Sequence, residues 1–310
     1  MGPIVGQTGF AKQRLFLIEV LPREDSAMPV SVKTARRFYA EELRFSAHVE
    51  SHSVVDAFAT VPRERFVGPG PWQIKSPMRQ GDYWTTANAD PRNVYHDTLI
   101  ALDAKRGINN GQPSLWIALF DELGIAAGEH VVHLGCGTGY YSAVAAELVG
   151  TAGTVTAIEI DAQLAARARK ALLRWEQVSV LNTDGLSVAL DPADTIITSA
   201  GATQPLPAWL DALRPNGRLL MPMTADDQWG GMLLVTRRQS RKYAARFVCS
   251  AGFIEFSGAR DAVVAERLAT AFRRDRGLSV KSLRRAPAEP DETCWLAGEG
   301  WWLSTAGLED

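Results

Sequence analysis

The chain is poor in the residues that build disulfide frameworks and metal clusters: among 310 residues there are three cysteines and five histidines. Cys136, Cys249 and Cys294 stand far apart with no paired spacing, which excludes a Cys-rich metal site, a redox pair and a disulfide scaffold. They read as free thiols in a reducing compartment, and no metal is expected. An excess of charge of one sign is missing too, since 33 Lys and Arg against 35 Asp and Glu leave a formal net charge of -2 and a pI near 6.2. Without a basic field of the kind that attracts polyanions, no nucleic-acid partner is expected. No apolar run approaches the roughly 20 residues that span a bilayer, and the N-terminus lacks a charged, then apolar, then small signal pattern. The expectation is a cytoplasmic globular protein with no membrane partner, whose 46% hydrophobic content supplies one full core plus appendages.

What is present centres on the stretch Val131 to Ser142, VVHLGCGTGYYS. Four largely apolar residues suited to a strand run into Gly135, Gly137 and Gly139, with Cys136 inside the turn, and a small-residue helical run follows. A turn that brings backbone close to a ligand cannot carry side chains there, and the first helical amides stay free to meet polar ligand atoms. Position 140 is Tyr where a dinucleotide fingerprint has Gly, which favours S-adenosyl-L-methionine over a nicotinamide dinucleotide. Taken alone, the turn equally fits a plain glycine-rich connection.

The following segments strengthen the pattern. A second apolar strand, Val155 to Ile160, carries Glu159 at its end, where a carboxylate can accept from both ribose hydroxyls. A third run, Val178 to Leu181, leads to Asp184-Gly185, beside the expected adenine pocket, although Asp-Gly is also an ordinary turn pair. Strands at Thr195 to Thr198 and Arg218 to Pro222 complete an α/β alternation that predicts a doubly wound, Rossmann-like parallel sheet. Before it, Val30 to Phe66 is helical in pattern, with Phe38, Tyr39, Leu43 and Phe45 on the core face; 67 to 94 is loop-like, with Trp72, Tyr83 and Trp84 either packed or covering a ligand. The basic run Arg237 to Lys242 reads as a solvated hairpin.

The ordered set Val61-Pro-Arg63-Glu-Arg-Phe66, Tyr95-His-Asp97, Gly111-Gln-Pro113, the Gly135 turn, Asp184-Gly185, Thr198-Ser-Ala-Gly-Ala202, Gly217-Arg-Leu-Leu-Met-Pro222 and Phe247-Val248 resembles the protein-L-isoaspartate (D-aspartate) O-methyltransferase family. The resemblance implies a divergent class I S-adenosyl-L-methionine-dependent methyltransferase. It assigns the methionine part of the cofactor to Gly135, Cys136, Gly137 and Gly139, the ribose to Glu159 with Ile160, and the adenine to Asp184 and Gly185. The implied activity is methylation of an isoaspartyl or aspartyl carboxylate of a protein or peptide, by a monomer. A same-fold methyltransferase of a small metabolite and a catalytically decayed cofactor-binding protein are the alternatives.

Two positions depart from the family. Its segment Thr-Ile-Ser-x-Pro is here Asn109-Asn110-Gly111-Gln112-Pro113, so Gly111 takes the place of a serine near cofactor and acceptor. His133 stands where the family has an acid, and a satisfied strand histidine is expected. Since an acceptor carboxylate with a pKa near 4 is already ionised, no strong base is needed. Asn109, Asn110, Gly111 and Gln112 are the candidates for acceptor positioning, because side-chain amides donate to carboxylates. Tyr95 and Asp97 shape the loop, Asp97 equally fitting a helix cap; His96 is the nearest base if the acceptor is a hydroxyl or amine.

The expected organisation is an N-terminal extension over 1–27, with Met28 an alternative start. N-terminal helices and the acceptor-side loop occupy 28–110, and the S-adenosyl-L-methionine-binding domain 111–256. A C-terminal α+β extension fills 257–310, with a helix over Asp261 to Gly277, strand-like runs at Ser279 to Arg284 and Cys294 to Ser304, and a Trp301-Trp302 pair that packs on the sheet or extends the acceptor groove.

Overall fold

The computed structural model describes residues 30–76, 81–239 and 242–308; the extension expected over 1–27 lies outside them. Helices α1 (Val32–Ser46) and α2 (His52–Thr60) realise the first helical pattern, with Ser51 capping α2 through its hydroxyl. Tyr39 and Leu43, one turn apart, face the core. Phe38 and Phe45, expected with them, are 65% and 74% exposed, because residues seven apart share a helix face and theirs points outward.

The segment read as a loop holds two short strands, a second correction. These are β1 (Gln73–Lys75) and β2 (Trp84–Thr85), which join β3 (Leu99–Asp103) and β4 (Ile108–Asn109) in an antiparallel sheet of order β2-β1-β3-β4. Strands of two or three residues are too short to show alternation, and the pairing of Ile74 with Ile100 spans a separation no local pattern reveals.

From α3 (Pro113–Leu123) the α/β alternation follows: β5 (His130–Leu134), α4 (Tyr140–Val149), β6 (Thr154–Glu159), α5 (Ala162–Leu172), β7 (Val178–Asn182), β8 (Ala193–Thr198), α6 (Pro207–Ala212) and β9 (Leu213–Thr224). Antiparallel β10 (Trp229–Arg237) and β11 (Tyr243–Gly252) come next, joined by the basic run, which does turn a hairpin. The C-terminal part is α7 (Ala262–Asp275), β12 (Ser282–Arg285), β13 (Cys294–Gly298) and β14 (Trp301–Ser304).

The central sheet runs β13-β14-β12-β11-β10-β9-β8-β5-β6-β7, with β7-β6-β5-β8-β9 parallel. The chain leaves β5 toward β6 and β7, then returns to β8 on the other side, so the order reverses between β5 and β8. The glycine turn leaves β5 at that reversal, where open α/β sheets form a ligand crevice. Alternate strand residues serve opposite faces: Val131 packs in the core beneath α1 to α5, and Val132 in the core shared with α6 and α7. The run expected as one strand from Cys294 to Ser304 is a hairpin folded at Glu299-Gly300, where Gly300 has φ 72. Trp301 and Trp302 are buried, their indole N–H groups held by Gln204 and by the Ala288 carbonyl; of the two readings, packing is the one realised.

Candidate functional site

The carboxyl ends of the parallel strands stand level, with Leu134 of β5 paired to Ile158 of β6 and to Thr198 of β8. The residues that follow these ends, the glycine turn, Glu159 and Ser199, meet at one edge. A cavity of about 1030 Å³ lies there, within the size range of small-molecule sites. Gly135, Cys136, Gly137, Glu159, Ile160, Asp184 and Gly185 line it, as do Asn109, Asn110, Gly111 and Gln112.

The turn owes its shape to glycine. Gly135, Gly137 and Gly139 have φ of 72, 58 and 90, a region L side chains avoid. A Cβ at Gly139 would come within 2.6 Å of Leu172 Cδ1, so the turn lies tight on α5. Glu159, 7% exposed, clamps it: Oε2 accepts from the Gly137 N–H at 2.7 Å and Oε1 from the Asp161 N–H at 2.9 Å. Burial pushes its carboxyl above the ordinary value, and those two N–H groups pull against the shift. An ionised carboxylate still has lone pairs left on both oxygens. Asp161 in turn caps α5 and pairs with Arg106 of the β3–β4 hairpin, whose Leu102 sits 3.5 Å from where a Gly137 Cβ would be. Ile160 is 57% exposed, an isoleucine turned toward the cavity rather than into the core. Asp184 is both turn residue and lining residue: Oδ1 accepts from the Leu186 N–H at 2.9 Å, and Oδ2 has no partner among the described residues.

His133 lies beneath this floor, 1% exposed, with Nδ1 2.8 Å from Ser142 Oγ and Nε2 2.8 Å from Ser199 Oγ. Burial pushes its pKa down to about 4, so it is the neutral, satisfied strand histidine the sequence suggested. Its contribution to the cavity is the orientation of Ser199, which lines it.

The other wall is built from the segment before α3. Asp97 caps that helix from a distance, Oδ1 accepting from the Ser114 N–H and Oδ2 from Gln112 Nε2; the helix-cap reading is the one realised. Gln112 thus spends its amide on Asp97 and Ser114, and Asn109 turns its carbonyl to the Gly111 N–H. Asn110, 6% exposed, has its carbonyl fixed by Arg63 Nε at 3.1 Å, and its Nδ2 has no partner among the described residues. Arg63 is fully buried and ties Asn110 to the carbonyls of Val94, His96 and Thr98, its guanidinium lying near the rings of Tyr39 and Tyr140. Tyr95 is a core residue bonded to Glu64, and His96 is exposed and outside the cavity lining. Gly111 has φ 73, and a Cβ there would fall 2.6 Å from Trp116 Nε1 and 3.1 Å from Tyr141 Cε2.

Several lining residues carried no sequence signal: Arg106, Trp116, Trp229 and Phe253. Trp116 occupies an apolar helix position, and such a residue reads as core. Trp229, 65% exposed at the start of β10, stands out only once the fold puts it at the rim. Among the described residues no three His, Cys, Asp or Glu side chains gather to hold a metal, and no helix is long and apolar enough to cross a membrane.

Known proteins resemble this chain in sequence and in fold. The protein-L-isoaspartate O-methyltransferase 2 of Archaeoglobus fulgidus is 29% identical over 228 residues, covering 72% of this chain and 93% of that one. The protein-L-isoaspartate O-methyltransferase of Ignicoccus hospitalis is 31% identical over 193 residues, covering 61% and 81%. Two solved structures share the fold. A Plasmodium falciparum protein described as a protein-L-isoaspartate O-methyltransferase, in complex with S-adenosyl-L-homocysteine, aligns with TM-score 0.56 at 16% identity over 72% of this chain and 98% of that one. A second protein-L-isoaspartate O-methyltransferase aligns with TM-score 0.60 at 20% identity over 87% of each. The family model for protein-L-isoaspartate(D-aspartate) O-methyltransferase matches residues 73–260, more than half of the chain; the chain belongs to that family.

Proposed function

We propose that the chain is an S-adenosyl-L-methionine-dependent O-methyltransferase acting on an isoaspartyl or aspartyl carboxylate of a protein or peptide. The observation that carries this reading is one cavity lined by Glu159 and Asp184, at the ends of β6 and β7, and also by Asn110 and Ser199. The cofactor fits the residues present. Gly135 and Gly137, both at positive φ, line the cavity with backbone alone, while Gly139 seats the turn on α5 outside the lining, and Glu159 and Asp184 offer unspent acceptor oxygens. In this reading Gly135, Cys136, Gly137 and Gly139 hold the methionine part, Glu159 takes the ribose hydroxyls, and Asp184 takes the adenine amine. Ile160 packs on the base, and Gly185 lets the loop close against Leu134 and Phe256.

Bound S-adenosyl-L-methionine supplies a methyl group on a sulfonium, which an ionised carboxylate displaces in line to give a methyl ester. Because that carboxylate needs no base, the chain's task is alignment and exclusion of water. Asn110 donates from Nδ2 to the acceptor carboxylate, held for it by Arg63. Asn109, Gly111 and Gln112 act through the loop: they fix its course and the start of α3. In this reading the working unit is a monomer, and the three free thiols suit a reducing cytoplasm.

The test is transfer of labelled methyl to paired synthetic peptides, one with isoaspartate and one with aspartate, followed by mild base. Base-labile label on the isoaspartyl peptide is the expected result. Base-stable label, or none from protein shown to bind the cofactor, would overturn the carboxylate reading.

A further inference from the structure

Trp116 is 1% exposed, lines the cavity, and its indole N–H has no hydrogen-bond partner among the described residues. Donors on buried side chains are almost always paired, and this one, reachable from the cavity, is available to an acceptor that enters there. The other buried indoles obey the rule: Trp72, Trp175, Trp209, Trp295, Trp301 and Trp302 each donate to a named oxygen.

The open N–H is also held still. The Trp116 ring stacks on Tyr141 with centroids 4.6 Å apart and 25° between planes, and meets Phe253 edge-on at 6.2 Å. Tyr141 donates its hydroxyl to the Gly111 carbonyl at 3.3 Å, so ring, ring and loop brace one another. Gly111 makes this arrangement possible. Its φ of 73 turns the backbone aside, and Nε1 lies 2.6 Å from where a Cβ at 111 would project. The space of one missing side chain is filled by the donor of another.

We infer that the Trp116 indole N–H donates to the acceptor carboxylate, beside Asn110, and so selects and orients the substrate. The inference rests on the carboxylate-methylation reading above. The ligand chemistry is an oxyanion, for which a rigidly held N–H is well suited. The cofactor's own carboxylate has the same chemistry. Trp116 meets Gly111, which precedes α3, and Phe253, which follows β11, rather than the ends of β6 and β7 that carry Glu159 and Asp184, and this assigns the N–H to the acceptor.

The experiment compares wild type with Trp116→Phe, and with a chain carrying 3-benzothienylalanine at 116, which keeps the indole shape and replaces N–H by sulfur. Steady-state methylation of an isoaspartyl peptide is measured alongside the cofactor dissociation constant by calorimetry. The expected outcome is a loss of about ten- to a hundredfold in kcat/KM for the peptide in both variants, the range set by a hydrogen bond to a charged group, with cofactor affinity within about twofold of wild type. Unchanged kcat/KM in the benzothienyl chain would overturn the inference while leaving carboxylate methylation intact. Weakened cofactor binding with unchanged peptide KM would overturn it by reassigning the N–H to the cofactor. Wild type that binds cofactor yet makes no base-labile product would overturn the methylation reading and this inference with it.

Discussion

The two walls of the cavity are built by different means. On the Glu159 side most shaping contacts are local or one strand away: three glycines at alternate positions, a carboxylate accepting the N–H of Gly137 and of Asp161, and an Asx turn at Asp184, with Arg106 reaching Asp161 from the β3–β4 hairpin. On the Trp116 side they come from far apart in the chain. Arg63 reaches Asn110, Asp97 caps α3, and Phe253 leans on Trp116. The first wall follows a pattern shared by many nucleotide-type sites. The second departs from its family at Gly111 and fills the space with an indole. A binding function common to a fold is written in backbone geometry, whereas acceptor choice is written in packing, where one substitution is absorbed by another several residues away.

Breaking the first wall has the largest expected effect. Glu159→Ala removes two charge-assisted hydrogen bonds proposed for the ribose, about 4 kcal/mol or near a thousandfold in cofactor affinity by calorimetry. Affinity within tenfold of wild type would mean that the cofactor is gripped elsewhere. His133, between the walls, comes next. An unfolded imidazole titrates near 6.5 and this one at about 4, so as pH falls the unfolded chain takes up the proton first. The stability it confers is complete above about pH 6.5 and drains away toward pH 4, by about 3 kcal/mol. Urea unfolding at pH 7 and 4.5 would show this slope in wild type and its loss in His133→Gln; an equal slope in both would assign it to other groups.

The contrast sharpens at Gly111. Gly111→Ser is expected to cost about 2 kcal/mol or more in unfolding free energy, because the residue sits at φ 73 and its Cβ meets the indole. A serine variant as stable as wild type, with faster peptide methylation, would show that the second wall is the family's after all. The smallest effect belongs to the rim: Trp229→Ala should raise the peptide KM by a few-fold, about 1 kcal/mol, and leave cofactor affinity unmoved. A larger change in cofactor affinity than in KM would move Trp229 to the first wall.

Legibility in the sequence followed the same division. The parallel strands, the glycine turn, Glu159 and the Asp184 turn were readable because each depends on residues within one strand-turn-helix unit. Asn109 and Gln112 were singled out for their amides, yet those amides are engaged by Gly107, Asp97 and Ser114; spacing alone does not say which donors the loop consumes. Phe38 and Phe45 fitted a three-to-four rhythm but lie on the outward side of α1. The strands at Gln73 and Trp84 escaped notice since their partners lie beyond any local window.

The sequence by itself determined the α/β alternation, the turn and the acid after the second strand, because hydrophobic period and glycine's freedom at positive φ act over a few residues. Only the tertiary structure decided what the cavity offers an acceptor. It set Asn110 against Arg63, turned Gly111 away from Trp116, and left the Trp116 N–H at the cavity without a partner among the described residues. Those are matters of distance between segments that the chain brings together only by folding.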